Sequence, residues 1–108
     1  MSFAVLLTAD AARDLEEIVT FVARHDSPER ADHVLATIRN KLANLVEQPH
    51  RGVLVAELAA LGIREYREIF FKPYRMVYRV IEQQVYVMLI VDGRRDMQAL
   101  LQRRLMAT

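Results

Sequence analysis

At 108 residues the chain can build one compact hydrophobic core but not two ordinary domains. Apolar residues make up 53% and charged residues 27%, with only three glycines and three prolines, which excludes a disordered or low-complexity polypeptide. The absence of cysteine excludes disulfides, thiolate metal sites and a cysteine nucleophile, and it suits a reducing cytoplasm.

The net charge of +1 is unevenly placed. Residues 1–54 carry 6 Lys/Arg against 8 Asp/Glu, and residues 55–108 carry 9 against 6. The second half is therefore the side expected to meet an acidic partner or nucleic acid. No apolar run reaches the roughly 20 residues that cross a bilayer. The opening MSFAVLLTADAARD lacks the basic segment that starts a signal peptide. A single cytoplasmic domain over residues 1–108 is the expectation, with no membrane contact.

In chain order, Phe3 to Leu7 is a short apolar, β-prone run that predicts a strand covered on both faces. Thr8 is a predicted N-cap, and Asp10 and Asp14 follow where a helix dipole favours negative charge. Leu15, Ile18, Val19 and Val22 recur on one helical face. Ser27 and Pro28 are N-cap and first-turn signals for a second helix, with Ala31, Val34, Leu35, Ile38, Leu42 and Leu45 on one stripe, ending before Pro49. Phe21 and Val46 lie off these stripes and are candidates for apolar surface left to a partner. The stretch from Gln48 to Leu61 is open between loop and helical turn.

Ile63 to Phe71 predicts a strand, and Lys72-Pro73 a turn. Tyr74 to Ile81 alternates, with Tyr74, Met76, Tyr78 and Val80 on one face and Arg75, Val77, Arg79 and Ile81 on the other, so this strand is expected to present a basic face. Val85 to Val91 is apolar throughout, as in a central strand. Asp92-Gly93 predicts a turn, and Asp96 the cap of a last helix over Met97 to Leu105, with Leu100, Leu101 and Leu105 inward. Nothing in this half has the form of a metal site or a nucleotide loop, so no cofactor is expected.

The order strand, helix, helix, strand, strand, strand, helix resembles the RelE/ParE superfamily of bacterial toxins. The resemblance is carried by Leu7-Thr8-Ala9-Asp10-Ala11-Ala12-Arg13-Asp14-Leu15, by Tyr74-Arg75-Met76-Val77-Tyr78-Arg79-Val80, and by Gly93-Arg94-Arg95-Asp96 entering the last helix. It implies an α+β fold in which a helical hairpin packs on a mainly antiparallel sheet. It further implies a type II toxin that causes growth arrest or stabilises a plasmid, held silent by a cognate ParD-like antitoxin in a hetero-oligomer.

Two activities remain open under this resemblance. A RelE-like member cuts messenger RNA on the ribosome without a metal, and Arg75 and Arg95, with Arg67 one residue from a lysine position, match its phosphate-stabilising cations. The tyrosine of that branch aligns with Leu101, which cannot move a proton, and Glu68 stands where a cation is wanted. A ParE-like member inhibits DNA gyrase by binding, for which Arg75, Arg79, Arg94, Arg95 and Asp96 are the candidate contacts, since guanidinium forks grip phosphates or carboxylates at two points. Pairing of these arginines with Asp96 or Glu82 would make them ordinary strand-edge ion pairs. A toxin-derived binding module with neither activity is the third reading. For the antitoxin, the candidate contacts are Val19, Val22, Val34 and Ile38 with Arg75 and Arg79. For each of the four apolar residues, burial in the chain's own core is the competing assignment.

Overall fold

The computed structural model describes residues 2–106. Met1, Ala107 and Thr108, which the 1–108 domain expectation includes, lie outside the described residues. The elements are β1 (Ala4–Leu7), α1 (Ala9–His25), α2 (Pro28–Ala43) with a 3-10 turn (Asn44–Val46), β2 (Val53–Leu54), α3 (Ala56–Ala59), β3 (Tyr66–Phe71), β4 (Tyr74–Ile81), β5 (Gln84–Asp92) and α4 (Met97–Leu101), which runs into a π-helical turn (Gln102–Met106). The five strands form one sheet in the order β1-β5-β4-β3-β2, with β1 parallel to β5 and every other pair antiparallel.

Local chemistry sets the helix starts. Thr8 accepts from Ala11 N and Ser27 from Arg30 N, each satisfying a backbone donor that the first helical turn leaves free. The hairpin of α1 and α2 buries Ala11, Leu15, Val22, Ala31, Val34, Ile38 and Leu42 against Met76, Tyr78, Val85, Val87 and Ile90 on one sheet face. The opposite face carries a second core, in which Val77, Leu89 and Val91 pack with Val55 and Leu58 and with Met97, Leu100 and Leu101. Strand β4 alternates between these cores as its pattern predicts. A bulge on β5 at Met88 shifts the pairing between Val77 and Tyr78, which keeps Val85, Val87 and Ile90 all turned toward the helical hairpin.

Three expectations change. Strand β1 is not covered on both faces: it is an edge strand, and Leu6 and Leu7 are exposed. The undecided stretch holds both a strand and a helical turn, since β2 pairs with Glu68 and Arg67 and α3 follows directly. The last helix stops as an α-helix at Leu101 and widens into the π turn, where Arg104 leaves it to reach Asp14 of α1 at 2.8 Å and the Met88 carbonyl at 3.3 Å.

Gly52 is required by contact. A Cβ there would lie 2.6 Å from the Tyr78 hydroxyl and 2.7 Å from the Glu68 carbonyl oxygen. Its N–H donates to the buried Tyr78 hydroxyl at 2.9 Å, and burial raises that phenol above its ordinary pKa. Tyr78→Phe should therefore cost about 1–3 kcal/mol, the penalty of an unpaired buried donor. Urea unfolding measures it, and an unchanged midpoint would mean the Gly52 N–H has another partner.

Candidate target-binding site

The turn from β5 to α4 is built to hold two arginines outward. Asp92 accepts from Arg94 through its backbone N at 2.9 Å, Nε at 3.0 Å and Nη2 at 2.6 Å. This fork holds the Asp92 carboxyl below its ordinary pKa. The Arg95 N–H donates to the Asp92 carbonyl, the Asp96 carboxylate caps α4 through Ala99 N, and Gly93 N donates to the Pro73 carbonyl at 2.7 Å. Every backbone step of Gly93-Arg94-Arg95-Asp96 is thus anchored. Arg95 is exposed, and its guanidinium has no ion pair among the described residues.

These arginines stand at the mouth of a groove of about 430 Å³ between α1 and the ends of β4 and β5. Ile18, Phe21, Tyr74, Ile90 and Val91 give it an apolar wall, and Asp14, Glu17 and Asp92 line the rest. Phe21 is 60% exposed and stacks on His25 with ring centroids 4.1 Å apart, so it offers a flat aromatic face. Burial, and secondarily the Asp92 charge, raises the Tyr74 phenol, which stays a neutral hydrogen-bond donor near pH 7.

Arg75 does not extend this surface. Its side chain is 14% exposed and is held by two carboxylates at once, Glu57 at 2.7 and 2.8 Å and Glu68 at 2.6 and 2.8 Å. The bonds to Glu57 and Glu68 raise its pKa further, and the same contact lowers that of Glu57. The acids expected as partners of the strand arginines, Asp96 and Glu82, are not the ones used: Glu57 and Glu68 hold Arg75, and Asp92 holds Arg94. The basic face expected on β4 is accordingly neutralised at its Arg75 end. Arg79, at the far end, sits 5.8 Å from the centre of the Tyr66 ring. Arg67 donates to the Gly52 carbonyl at 2.8 Å and so fixes the loop before β2.

Among the described residues, Arg94 and Arg95 are the arginine candidates that line one groove together, and Asp96 follows them in the turn. Arg75 lies beneath that turn, where a Cβ on Gly93 would come within 2.7 Å of the Arg75 Cδ. Among the four apolar candidates, Val22, Val34 and Ile38 are buried in the core of the chain itself, a correction to their assignment as partner contacts. Val19 instead lines an apolar groove with Val5, Leu7, Leu35 and Leu42. Glu57 lies in the stretch open between loop and helical turn, and nothing in its sequence surroundings marks it as the partner of Arg75. Tyr74 lines the groove, and the signal that points to it is its place beside Arg75 in the Tyr74–Val80 motif.

Among the described residues no cluster of three or more His, Asp or Glu could hold a metal ion, and no helix is long and apolar enough to cross a membrane. Leu101 is 1% exposed in the second core.

The family described as the ParE toxin of type II toxin-antitoxin system, parDE, matches residues 5–97. No curated protein matches the sequence. Among solved structures, the chain is similar to one from the chromosomal ParDE system of P. aeruginosa, with a TM-score of 0.70 at 18% identity over 84% of this chain and 96% of that one. It is similar to one from the RelBE2 toxin-antitoxin complex of Mycobacterium tuberculosis, with a TM-score of 0.61 at 20% identity over 85% and 92%. It is also similar to a double-arginine mutant of E. coli RelE in the free state, with a TM-score of 0.62 at 17% identity over 92% of each chain. At these identities the structural likeness speaks for the fold, which is the α+β RelE/ParE architecture. The family match spans most of the sequence, and on it the chain belongs to the RelE/ParE superfamily and, within it, to the ParE toxins of type II toxin-antitoxin systems.

Proposed function

We propose that this toxin acts by binding DNA gyrase through the Arg94–Arg95 turn and the adjoining groove, and that a cognate ParD-like antitoxin silences it. The observation that carries the reading is Arg95: an exposed guanidinium without an ion pair among the described residues, on a turn held by backbone hydrogen bonds. A preorganised fork of this kind grips a phosphate or carboxylate at little entropic cost. Phe21 and Tyr74 add apolar contact next to it. Asp96 serves by holding the turn, and Arg79 lies outside this surface.

The ribosome-dependent ribonuclease reading has weaker support. Arg75 is already neutralised by Glu57 and Glu68, Arg67 is spent on the Gly52 carbonyl, and the position that would hold a proton-transfer group is the buried Leu101. For the antitoxin, the apolar groove beside Val19 fits an amphipathic partner segment, with Val5, Leu7 and Leu35 completing its wall.

Gyrase supercoiling assays with purified protein should show inhibition or trapped cleaved DNA. Unaltered plasmid topology together with cut messenger RNA on ribosomes would overturn the proposal. Arg95→Ala should weaken growth arrest on expression by at least about tenfold in the inducer needed, as loss of a two-point guanidinium contact implies, while far-ultraviolet circular dichroism stays unchanged. Undiminished arrest would remove Arg95 from the site.

A further inference from the structure

The sheet ends in two unlike edges. Strand β2 is two residues long and turns at once into α3, which protects that edge by brevity. Strand β1, Ala-Val-Leu-Leu, carries no charge, proline or bulge, the devices that keep an edge from pairing. Ala4 and Thr8 donate to the Gln83 and Val87 carbonyls of β5. Alternation then turns the N–H and C=O groups of Val5 and Leu7 away from the sheet. Phe3 N is taken by the Val46 carbonyl, so the open edge is confined to Val5 through Leu7.

This edge is self-complementary. A two-fold axis through Leu6 sets Val5 opposite Leu7 of a second copy and Leu7 opposite its Val5, and all the outward N–H and C=O groups pair. Leu6, 43% exposed, then meets its own equivalent as the close, non-hydrogen-bonded pair between them. Glu16 and Arg39 rim the groove beside β1 without ion pairs among the described residues. A partner of one sign would match one of them and oppose the other, whereas a second copy brings both signs.

We propose that β1 pairs antiparallel with β1 of a second copy about this axis, joining the two five-stranded sheets into one. The pairing needs only the chain itself and does not rest on the gyrase reading, but it uses Val5 and Leu7, which also wall the groove assigned to the antitoxin.

Because the chain has no cysteine, Leu6→Cys gives a clean readout. Non-hydrogen-bonded partners hold their Cβ atoms about 4.5 Å apart, which a disulfide bridges. Mild oxidation should convert this variant to a species of twice the 12.5 kDa chain mass, while Phe21→Cys, exposed on α1, stays monomeric. In sedimentation equilibrium the wild type should associate as a dimer. Leu6→Lys should raise its Kd by at least about tenfold, because like charges then face each other across the axis. An equimolar mixture of Leu6→Lys and Leu6→Glu should restore dimers. A wild type that is monomeric at ~100 µM, a weak regime for any specific pair, would overturn the proposal. So would a dimer insensitive to Leu6→Lys, or Leu6→Cys cross-linking no faster than Phe21→Cys.

Discussion

Arg75→Met is expected to destabilise the folded domain by about 3–5 kcal/mol, the cost of leaving a buried charge without its partner. The charge concerned is Glu68, whose side chain is 4% exposed and faces the Arg75 Nε at 2.6 Å. Glu57 is more exposed and can turn to water when the guanidinium is gone. Replacing Arg75 and Glu68 together by methionine should recover most of the loss, because two apolar side chains pack where the ion pair stood. Urea unfolding of both variants tests this, and a single variant as stable as the double would refute it. The cluster also sets an acid limit. Arg75 depresses the Glu57 pKa in the folded state, so the stability it contributes is full above the ordinary glutamate pKa of about 4.3. It is lost as the pH falls through the depressed folded value. The wild type should therefore lose stability in acid more steeply than Arg75→Met does.

Leu101→Ala is expected to cost about 2–5 kcal/mol, the range for truncating a buried leucine where the cavity collapses only in part. Leu101 packs from α4 with Met97 and Leu100 onto Val77, Leu89 and Val91. α4 spans only five residues before the π turn, so it has little helical stability of its own and depends on this packing. Thermal unfolding with a midpoint within error of the wild type would show that the second core does not hold α4. Because the Arg94–Arg95 turn leads into α4 from its Asp96 cap, a loosened helix should also lower growth arrest even though Leu101 touches no target.

Much of this was legible in the residues. Thr8, Ser27, Pro28 and Asp96 mark helix starts through backbone chemistry confined to a few neighbours, and they are used as caps where the sequence places them. The alternation of Tyr74 to Ile81 reads out two cores because side chains on a strand point to opposite faces whatever lies beyond. Strand order is a different matter. An apolar run such as Ala4–Leu7 reads the same at a sheet centre and at an edge, and only long-range pairing with β5 assigns it to the edge. The arginines show the same limit. Nothing near Arg75 in sequence names Glu57, 18 positions earlier in a stretch whose local pattern is ambiguous, yet this contact turns a candidate ligand for phosphate into a buried strut. Even Asp92, two residues from Arg94, is not the acid expected for it, because spacing alone does not say whether Asp92, Asp96 or Glu82 meets the guanidinium.

Strand β1 has one sheet neighbour, and that neighbour is β5, with Ala4 beside Gln84. Of the strands described, β1 is made before β5 and must wait for it before it can pair, and this sheet cannot close on a nascent chain that lacks β5. Such distant pairing slows folding, since a long loop must be ordered before any contact repays it. The Arg94–Arg95 turn follows β5 in the chain, so it emerges only as the sheet becomes able to close. Closure of the sheet and presentation of this turn are thereby tied to the same late stretch of the chain, β5 through Asp96.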